Sequence, residues 1–308
     1  MEKSLPFWQR TSYSNIYPCW QSRMNNMSSL LSSITNRLTL ISDTPALDAS
    51  VLLADIIGKP RTWVMAHPEL TLTAEQRKRL DDSLKRLETG EPFPYVLGHW
   101  EFFGLELNIT PDVLIPRPET ELLVEKAIAR LQESTVRRTV ADVGTGSGAI
   151  AVSIAVNVPD VHILATDISL AALEVARENA CKFKVLQRID FVQCDILPYP
   201  PYPLSTEEHC DLICANLPYI PTETLHGLPI FGREPTLALD GGADGLDPFR
   251  RLMKIAPEWL APNGLILLEI EATRGILALN LAYDMFSQAE IHLHKDLTGR
   301  DRLLEIRL

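Results

Sequence analysis

The sequence predicts an α/β protein in which a small N-terminal helical bundle, joined by a β-hairpin, precedes a seven-stranded doubly wound sheet. Helical periodicity dominates residues 28–90. From Thr139 onward, short apolar runs alternate with helical segments, which is the order expected of a largely parallel sheet. Two strand-like segments then follow each other closely at the C terminus, which predicts an antiparallel edge.

The helices of the bundle are indicated by their ends. The segment "LDASVLLADIIG" carries apolar residues at helical spacing and stops at Gly58, with Pro60 just beyond. A later helix begins with Thr73 and Gln76 at capping-box spacing. Such a bundle serves either as a stabilising appendage or as a docking module, and the pattern alone favours neither.

The character of the sequence changes at residue 92. The following segment is aromatic, is punctuated by Gly and Pro, and alternates in "FFGLELNI", which predicts a hairpin. The expected divisions are a tail at 1–23, a helical domain at 24–91, a hairpin linker at 92–113 and the sheet domain at 114–308.

Composition limits the classes of function. The net charge of −11 argues against a protein whose main partner is bare nucleic acid, because phosphate neutralisation favours basic surfaces. No apolar run reaches the roughly 18 residues of a membrane helix, so no membrane partner is expected. The five cysteines form no CxxC pair and no metal-ligand spacing, which indicates reduced thiols in a cytoplasmic protein and no metal site.

The first residues of the chain are polar and aromatic without periodicity. They lack the compact apolar core and the cleavage site of a secretory signal. We expect either a loose tail at 1–23 or a start of translation at Met24 or Met27.

Seven segments predict the sheet. Five mostly apolar runs suit buried parallel strands: "TVADV", "HILATD", "DFVQC", "CDLICAN" and "GLILLEI". The last two segments, "AEIHLHKDL" and "DRLLEIRL", should pair as the antiparallel edge. A ligand of such a sheet binds in the crevice at the carboxyl ends of the strands.

A glycine-rich loop links the first of these strands to a helix. Gly144, Gly146 and Gly148 would let the backbone turn tightly and approach a ligand closely. Their spacing fits both GxGxxA, which is typical of dinucleotide binding, and GxGxG, which is typical of adenosylmethionine binding. The loop is therefore compatible with either a dinucleotide or adenosylmethionine. A glycine turn that binds no ligand is the less favoured alternative.

Acidic residues end the next two strands. Asp167 lies close to the separation expected for a carboxylate that binds ribose hydroxyls. Asp195 is placed to meet an adenine amino group, with Ile196 packing against the ring. The structural alternatives are an ordinary turn acid for Asp167 and a loop cap for Asp195.

The fourth strand ends in "NLPY", from Asn216 to Tyr219. The lone pair of a planar NH2 group is delocalised, and two acceptors for its N–H bonds would favour pyramidalisation. The side-chain oxygen of Asn216 and the carbonyl of Leu217 can supply them, and Pro218 biases residue 217 towards an extended backbone. Tyr219 offers a flat face for stacking. The motif predicts methyl transfer from a sulfonium to an amine or amide held in line, and the alternative is a proline-closed turn.

Together with other segments, these motifs resemble the release-factor glutamine methyltransferases (the PrmC/HemK family) from about residue 28 to the end. The other segments are "LIPRPETELLVEKA", "EPTLALDGGADGL", "LAPNGLILLEI" and "DLTGRDR". The resemblance implies a Rossmann-like S-adenosylmethionine-dependent methyltransferase domain and a helical domain that docks the substrate. It implies methyl transfer to the glutamine amide nitrogen of the GGQ motif in peptide chain release factors, with no direct nucleic-acid partner.

The motifs described above and the resemblance together give the expected residues of the site. The expected catalytic residues are Asn216, Pro218 and Tyr219. The expected cofactor contacts are Gly144, Thr145, Gly146, Ser147, Gly148, Asp167, Asp195, Ile196 and Asn216. The expected substrate contacts are Arg117, Asn216, Leu217, Pro218, Tyr219, Glu234, Pro235 and Leu237. For the segments around Arg117 and Glu234, the alternatives are a proline-set helix start and a loop that only buries the site.

The sequence departs from the family pattern in three places. The family's NPPY is NLPY here, its "EIG" is "EIE" with Glu271, and a frequent glutamine nearby is Arg274. NLPY also resembles the motif of ribosomal RNA adenine dimethyltransferases, so an N6-adenine methyltransferase acting on RNA or DNA is the main alternative. It leaves "IPRPET" and the helical domain unexplained. Two further alternatives are a nicotinamide oxidoreductase and a cofactor-binding module without catalysis.

Overall fold

The computed structural model describes residues 27–133, 138–198 and 209–308. The predicted tail at 1–23 and Cys19 lie outside these residues. The chain divides into two compact units between Leu97 and Gly98. This division falls inside the predicted linker at 92–113, because its first residues form a helix of the first unit. The docking role predicted for the helical domain stays a prediction.

The described part of the first unit is helical, as the sequence predicts. Its helices are α1 (Met27–Leu38), α2 (Pro45–Ile57), α3 (Arg61–Ala66), α4 (Ala74–Glu88) and α5 (Phe93–Leu97). Helix α2 ends at Gly58, which adopts the left-handed conformation. The capping box of α4 is formed, since the Gln76 N–H donates to the Thr73 hydroxyl at 3.2 Å and the Thr73 N–H donates to the Gln76 side chain at 3.0 Å.

The core of the first unit is built from one face of each longer helix. Leu52 and Leu53 of α2 and Leu84 of α4 are almost fully buried in it. Since burying a leucine side chain stabilises a fold by roughly 1.5–3 kcal/mol, the bundle has a hydrophobic core of its own.

The predicted hairpin opens the second unit. Strands β1 (His99–Phe102) and β2 (Leu105–Asn108) pair antiparallel. The buried side chain of Asn179 accepts the Asn108 N–H at 2.7 Å and donates to the Asn108 carbonyl at 3.0 Å. The same amide also donates to the carbonyl of Ser147 at 2.9 Å, so it ties the hairpin to the glycine loop.

The rest of the second unit is the predicted sheet with its helices. The strands are β3 (Arg138–Val143), β4 (Val161–Asp167), β5 (Ile189–Gln193), β6 (Cys210–Ala215), β7 (Leu260–Glu269), β8 (Glu290–Lys295) and β9 (Asp301–Arg307). The helices are α6 (Glu121–Glu133), α7 (Ala149–Asn157), α8 (Leu170–Lys182), α9 (Thr222–Leu225), α10 (Asp247–Ile255) and α11 (Gly275–Met285).

The described strands follow the order β5-β4-β3-β6-β7-β9-β8. The first five of these are parallel, and β9 pairs antiparallel with both β7 and β8. The chain moves outward from β3 to β4 and β5, and then returns to place β6 on the other side of β3. This reversal is the topological switch point at which doubly wound sheets bind ligands. The glycine loop after β3 and the "NLPY" segment after β6 meet there.

The described residues place two further limits on the molecule. None of their helices is both long enough and apolar enough to cross a membrane. No group of three or more His, Cys, Asp or Glu side chains within the described ranges is arranged to hold a metal ion. The four described cysteines are free thiols.

Candidate active site

The glycine loop leaves β3 and turns into α7. Gly144, Gly146 and Gly148 have φ angles of 73°, 56° and 78°, a region that residues with a Cβ enter only at a cost. A Cβ at Gly148 would lie 3.1 Å from that of Ala176, so α8 packs directly on the loop. The Thr166 carbonyl accepts the Gly144 N–H at 2.9 Å, which joins the loop to the end of β4.

Asp142 supports the loop from the end of β3. Its Oδ2 accepts the Thr145 hydroxyl at 2.6 Å and the Ala151 N–H at 3.1 Å. Burial raises the pKa of the Asp142 carboxyl to about 7, although both hydrogen bonds act to lower it. The side chains of Thr145 and Ser147 are buried, which leaves the main chain of these two predicted residues as the part available to a ligand.

Asp167 ends β4 and holds the loop by main-chain hydrogen bonds. Its Oδ2 accepts the Gly146 N–H at 2.9 Å, and its Oδ1 accepts the Ser169 N–H at 2.8 Å. Burial raises the pKa of this carboxyl, and the main-chain hydrogen bonds oppose that shift. Each oxygen has a second lone pair, so Asp167 can also accept hydroxyl groups from a ligand.

Asp195 and Ile196 follow β5. Asp195 Oδ2 pairs with Arg251 of α10, and both side chains are about half exposed, with 52% accessibility. Ile196 has a φ of 66°, and its carbonyl accepts the Thr166 hydroxyl at 2.6 Å. This bond supports a left-handed backbone conformation that β-branched residues rarely adopt.

A cavity of about 350 Å³ collects residues from both sides of the switch point. From the predicted cofactor residues it is lined by Gly144, Gly146, Asp167, Asp195 and Ile196. From the predicted substrate residues it is lined by Asn216, Leu217, Pro218, Pro235 and Leu237. Sequence reasoning did not single out the lining residues Ala172, Cys194, Asp240, Pro248 and Arg251. Gly148, Tyr219, Arg117 and Glu234 are not part of this lining.

Asn216 is the first residue beyond β6, and its amide is held from one side. Its Nδ2 donates to the hydroxyl oxygen of Thr120 at 3.0 Å. Thr120 ends a 3-10 turn just before α6 and is only 4% exposed. Because the amide nitrogen is engaged there, the amide oxygen is the group that Asn216 can offer to the cavity.

Leu217, the residue that departs from the family pattern, packs against the glycine loop. It is 4% exposed, and its Cδ2 lies 3.3 Å from the position that a Cβ on Gly144 would take. The leucine side chain therefore joins the loop after β3 to the loop after β6. The predicted role of residue 217 uses only its carbonyl, so this packing is compatible with that role.

Tyr219 is half-buried and packs against the hydrophobic core of the sheet. Burial raises the pKa of its hydroxyl, and the negative charge of Glu269 raises it further. The hydroxyl thus belongs to an apolar environment beside a carboxyl group. The stacking role assigned to the ring stays a prediction.

The segment "LALDGGADGL" packs on the main chain of Tyr219. The Ile220 N–H donates to the Leu239 carbonyl at 3.0 Å, and the Gly241 N–H donates to the Ile220 carbonyl at 2.8 Å. Gly245 has a φ of 82°, and a Cβ there would overlap the carbonyl oxygen of Tyr219. These glycines allow a contact that fixes the direction in which "NLPY" leaves the sheet.

Arg117 and Glu234, both predicted to meet the substrate, bind each other. Arg117 Nη2 donates to Glu234 Oε1 at 2.6 Å, and the other carboxylate oxygen accepts the Ile115 N–H at 3.1 Å. Glu234 is 8% exposed, so this interaction joins "IPRPET" to "EPTLAL" inside the protein. Of the adjacent residues, Pro235 lines the cavity and Leu237, 57% exposed, lies at its rim.

Sequence reasoning missed the roles of Thr120 and Glu269. Thr120 is the last residue of "IPRPET", but its contact with Asn216 joins positions far apart in the chain. Glu269 ends β7 and is 1% exposed, and burial raises its pKa to about 7. The available signal was an acid at the end of the otherwise apolar run "GLILLE".

The sheet order, the glycine loop at the switch point and the acids of the cavity define a methyltransferase of the Rossmann-like class. A family described as a methyltransferase domain matches residues 140–228, and the PrmC N-terminal domain matches residues 29–98. The release factor glutamine methyltransferase of Moorella thermoacetica is 42% identical over 261 residues, which cover 84% of this chain and 90% of that protein. The protein of the same name from Coxiella burnetii is 39% identical over 280 residues, which cover 89% of this chain and 96% of that protein. The chain belongs to the release factor glutamine methyltransferase family.

A solved structure shares the fold at lower identity. The hMettl16 catalytic domain in complex with the MAT2A 3'UTR hairpin 6 is 14% identical, with a TM-score of 0.50. The match covers 76% of this chain and 82% of that one. The predicted fold class, enzyme class and family are confirmed by these comparisons.

Proposed function

We propose that the chain transfers the methyl group of S-adenosylmethionine to the side-chain amide nitrogen of the glutamine in the GGQ motif of peptide chain release factors. The observation that carries this proposal is the hydrogen bond from Asn216 Nδ2 to Thr120, which leaves the Asn216 oxygen as an acceptor at the cavity. The relatives that share most of the chain's length bear the matching name. Release factors would be met in the cytoplasm.

The cofactor side of the cavity suits S-adenosylmethionine. An added Cβ at Gly146 would meet no atom within 4 Å, so the loop leaves open space where a ligand can approach the backbone. Asp167 would accept the ribose hydroxyls, and Asp195 and Ile196 would meet the adenine. When bound, the cofactor supplies a methyl group already activated by the positive sulfur, so the protein itself need not provide a nucleophile.

On the acceptor side, the chain's residues orient one NH2 group. The Asn216 oxygen and the Leu217 carbonyl would accept its two N–H bonds and favour a pyramidal nitrogen whose lone pair faces the methyl group. As the new N–C bond formed and the S–C bond to the methyl group broke, S-adenosylhomocysteine would leave and the nitrogen would release one proton. Pro218 sets the direction of the carbonyl, and the Tyr219 ring would flank the acceptor plane. Holding the reacting atoms in line in this way supplies a large part of the rate enhancement in such reactions.

The remaining predicted residues would shape the entrance for the GGQ loop. The pairing of Arg117 with Glu234 keeps two neighbouring segments together, and Pro235 and Leu237 would contact the loop. The net charge of −11 supports a protein substrate over bare nucleic acid.

The test of the acceptor compares three substrates. The full chain, with labelled S-adenosylmethionine, is incubated with a purified release factor, with its GGQ→GGA variant and with ribosomal RNA. Label should enter the release factor and should not enter the GGA variant or the RNA. Label in RNA and none in the release factor would replace this proposal with the adenine methyltransferase alternative.

The cofactor is tested separately by calorimetry. S-adenosylhomocysteine should bind to the full chain, whereas NAD should not. Binding of NAD alone would favour the oxidoreductase alternative and contradict the proposal.

A further inference from the structure

Glu269 is a buried acid to which the proposed reaction assigns no role. It is 1% exposed, and neither carboxylate oxygen makes a hydrogen bond of normal geometry among the described residues. An ionised carboxyl without hydrogen bonds is costly to bury, so such a group in a folded protein calls for a specific role.

The surroundings of Glu269 come from three different segments. The hydroxyls of Thr120 and Tyr219 lie close enough to act as donors that lower its pKa. Arg302 of β9 also lowers it, and Glu119 raises it. Arg302 is already paired with Asp296 at 3.2 Å, so it is not a partner reserved for Glu269. The two hydroxyls are therefore the neighbours whose geometry Glu269 can set.

The hydroxyl of Thr120 connects Glu269 to the active site. A threonine hydroxyl has one proton to donate, and its oxygen can accept hydrogen bonds. The Thr120 oxygen accepts from Asn216 Nδ2 at 3.0 Å, so its own proton must be directed elsewhere. Since Thr120 is 4% exposed, water is largely excluded, and Glu269 is the neighbouring acceptor.

We propose that Glu269 is a positioning residue that accepts the Thr120 hydroxyl proton and thereby fixes the Asn216 amide with its oxygen facing the acceptor. The inference rests on the proposed function, because it assigns a task to Glu269 within that reaction. The chain of donors runs from the Asn216 amide to Thr120 and from Thr120 to Glu269. The Tyr219 hydroxyl can donate to the same carboxylate from the other side.

Protonation of Glu269 would break this order. A neutral carboxylic acid keeps one acceptor oxygen but also carries a proton, and when it donates that proton to the Thr120 oxygen, the hydroxyl turns its own proton towards Asn216. Two donors would face each other unless the amide rotated and offered its oxygen to Thr120. The rotated amide would point its NH2 group at the substrate NH2 group. Two hydrogen-bond donors would then face each other, and Asn216 could not accept the substrate N–H bond.

The sign of the pH dependence follows from the environment of the carboxyl. Burial, with a smaller contribution from Glu119, raises the pKa of Glu269 to about 7, and the two hydroxyls and Arg302 oppose the shift. Turnover should therefore decline as the pH falls through about 7. Neither a glutamine amide nor a sulfonium methyl group titrates there, although the buried Asp142 does.

The test is the single-turnover rate of methyl transfer to a release factor between about pH 6 and about pH 9. The wild type should lose about tenfold in rate for each pH unit below the transition, as one required proton dissociation predicts. Glu269→Gln cannot titrate, but its amide oxygen can still accept the Thr120 hydroxyl, so this variant should stay within a few-fold of the wild-type rate at the upper pH and should show no such transition. Glu271→Gln, two residues along and half-buried, is the matched control and should behave as the wild type, because the glutamine oxygen can still accept the Thr273 N–H.

Thr120 provides a second test if Glu269→Gln does not fold. Thr120→Val removes the hydroxyl at constant shape and should also slow transfer by about tenfold, the scale of one lost hydrogen bond, while Thr120→Ser should restore it. A Glu269→Gln variant that keeps the wild-type pH transition, or an unimpaired Thr120→Val, would overturn the assignment. If the wild type itself does not methylate the release factor, the proposed function is wrong instead.

Discussion

The two halves of the cavity are held in different ways. On the cofactor side, the carboxylates of Asp142 and Asp167 accept main-chain N–H groups from Ala151, Gly146 and Ser169. On the acceptor side, Asn216 depends on the side chain of Thr120, which adjoins the unpaired carboxyl of Glu269. Main-chain partners persist through most substitutions, whereas side-chain partners do not. The difference implies that single substitutions on the acceptor side should impair turnover while cofactor binding survives.

The largest effect is expected from Asn216→Ala. It removes the acceptor oxygen at the reacting nitrogen, and we expect methyl transfer to fall by roughly 100-fold or more, as for other preorganised polar groups at a reacting centre. The measurement is kcat with a release factor as substrate. Asn280→Ala, on an exposed position of α11, is the control and should retain full activity. Undiminished turnover of Asn216→Ala would remove this residue from the mechanism.

The second-largest effect is expected at Gly245, whose contact with Tyr219 fixes the direction in which "NLPY" leaves the sheet. Gly245→Ala would place a Cβ against the Tyr219 carbonyl, in a backbone conformation with a φ of 82°. We expect a loss of roughly 2–4 kcal/mol in the free energy of unfolding, from the backbone conformation and the overlap together, and slower transfer.

The matched control for that variant is Gly299→Ala. Gly299 has a φ of 80°, but an added Cβ would meet no atom within 4 Å. Only the conformational cost of about 1–2 kcal/mol should remain. Equal losses in the two variants, measured by urea unfolding, would show that the contact with Tyr219 contributes nothing.

Glu234→Ala should have a moderate effect. It leaves Arg117 and the Ile115 N–H without their acceptor, and we expect the free energy of unfolding to fall by about 1–3 kcal/mol. The KM for the release factor should rise more than kcat falls, because the two joined segments border the proposed entrance. Steady-state kinetics and chemical unfolding measure both effects, with the exposed Glu258→Ala as control. A variant as stable as the wild type would contradict the structural role of the pair.

The last prediction concerns Asp142→Asn and the dependence of stability on pH. Because burial raises the folded-state pKa of Asp142 from its ordinary 3.8 to about 7, the folded protein binds this proton more tightly than the unfolded chain. Stability should therefore decline as the pH rises from about 4 to about 7. The asparagine oxygen can still accept from Thr145 and Ala151, so the variant should decline less. Thermal unfolding at several pH values measures this, and an unchanged decline would assign it to other groups, such as Glu269.

The sequence predicted the parts of the fold that depend on local pattern. The capping box at Thr73, the left-handed end at Gly58 and the seven strands follow from residues close together in the chain, and the structure confirms them. The glycine loop and the acid of Asp167 were likewise predictable, because their strands and helices follow in order. The segment predicted as a linker contains both the last helix of the first unit and the hairpin that opens the second, since the two elements share one aromatic stretch.

The partnerships on the acceptor side could not be predicted from pattern. Thr120 and Asn216 lie 96 positions apart, and Arg117 and Glu234 lie 117 apart. No periodicity or spacing rule links such positions, so the pairing of Arg117 with Glu234 was not predicted. Glu269 is buried, and a single acid at the end of an apolar run does not by itself predict that burial.

The most direct test of the central claim is the affinity of Asn216→Ala for S-adenosylhomocysteine, measured by calorimetry beside the wild type. If the cofactor side is organised by its own main-chain contacts, the two affinities should agree within a few-fold while turnover is lost. A loss of affinity as large as the loss of turnover would contradict the separation of the two halves and would make Asn216 chiefly a cofactor ligand.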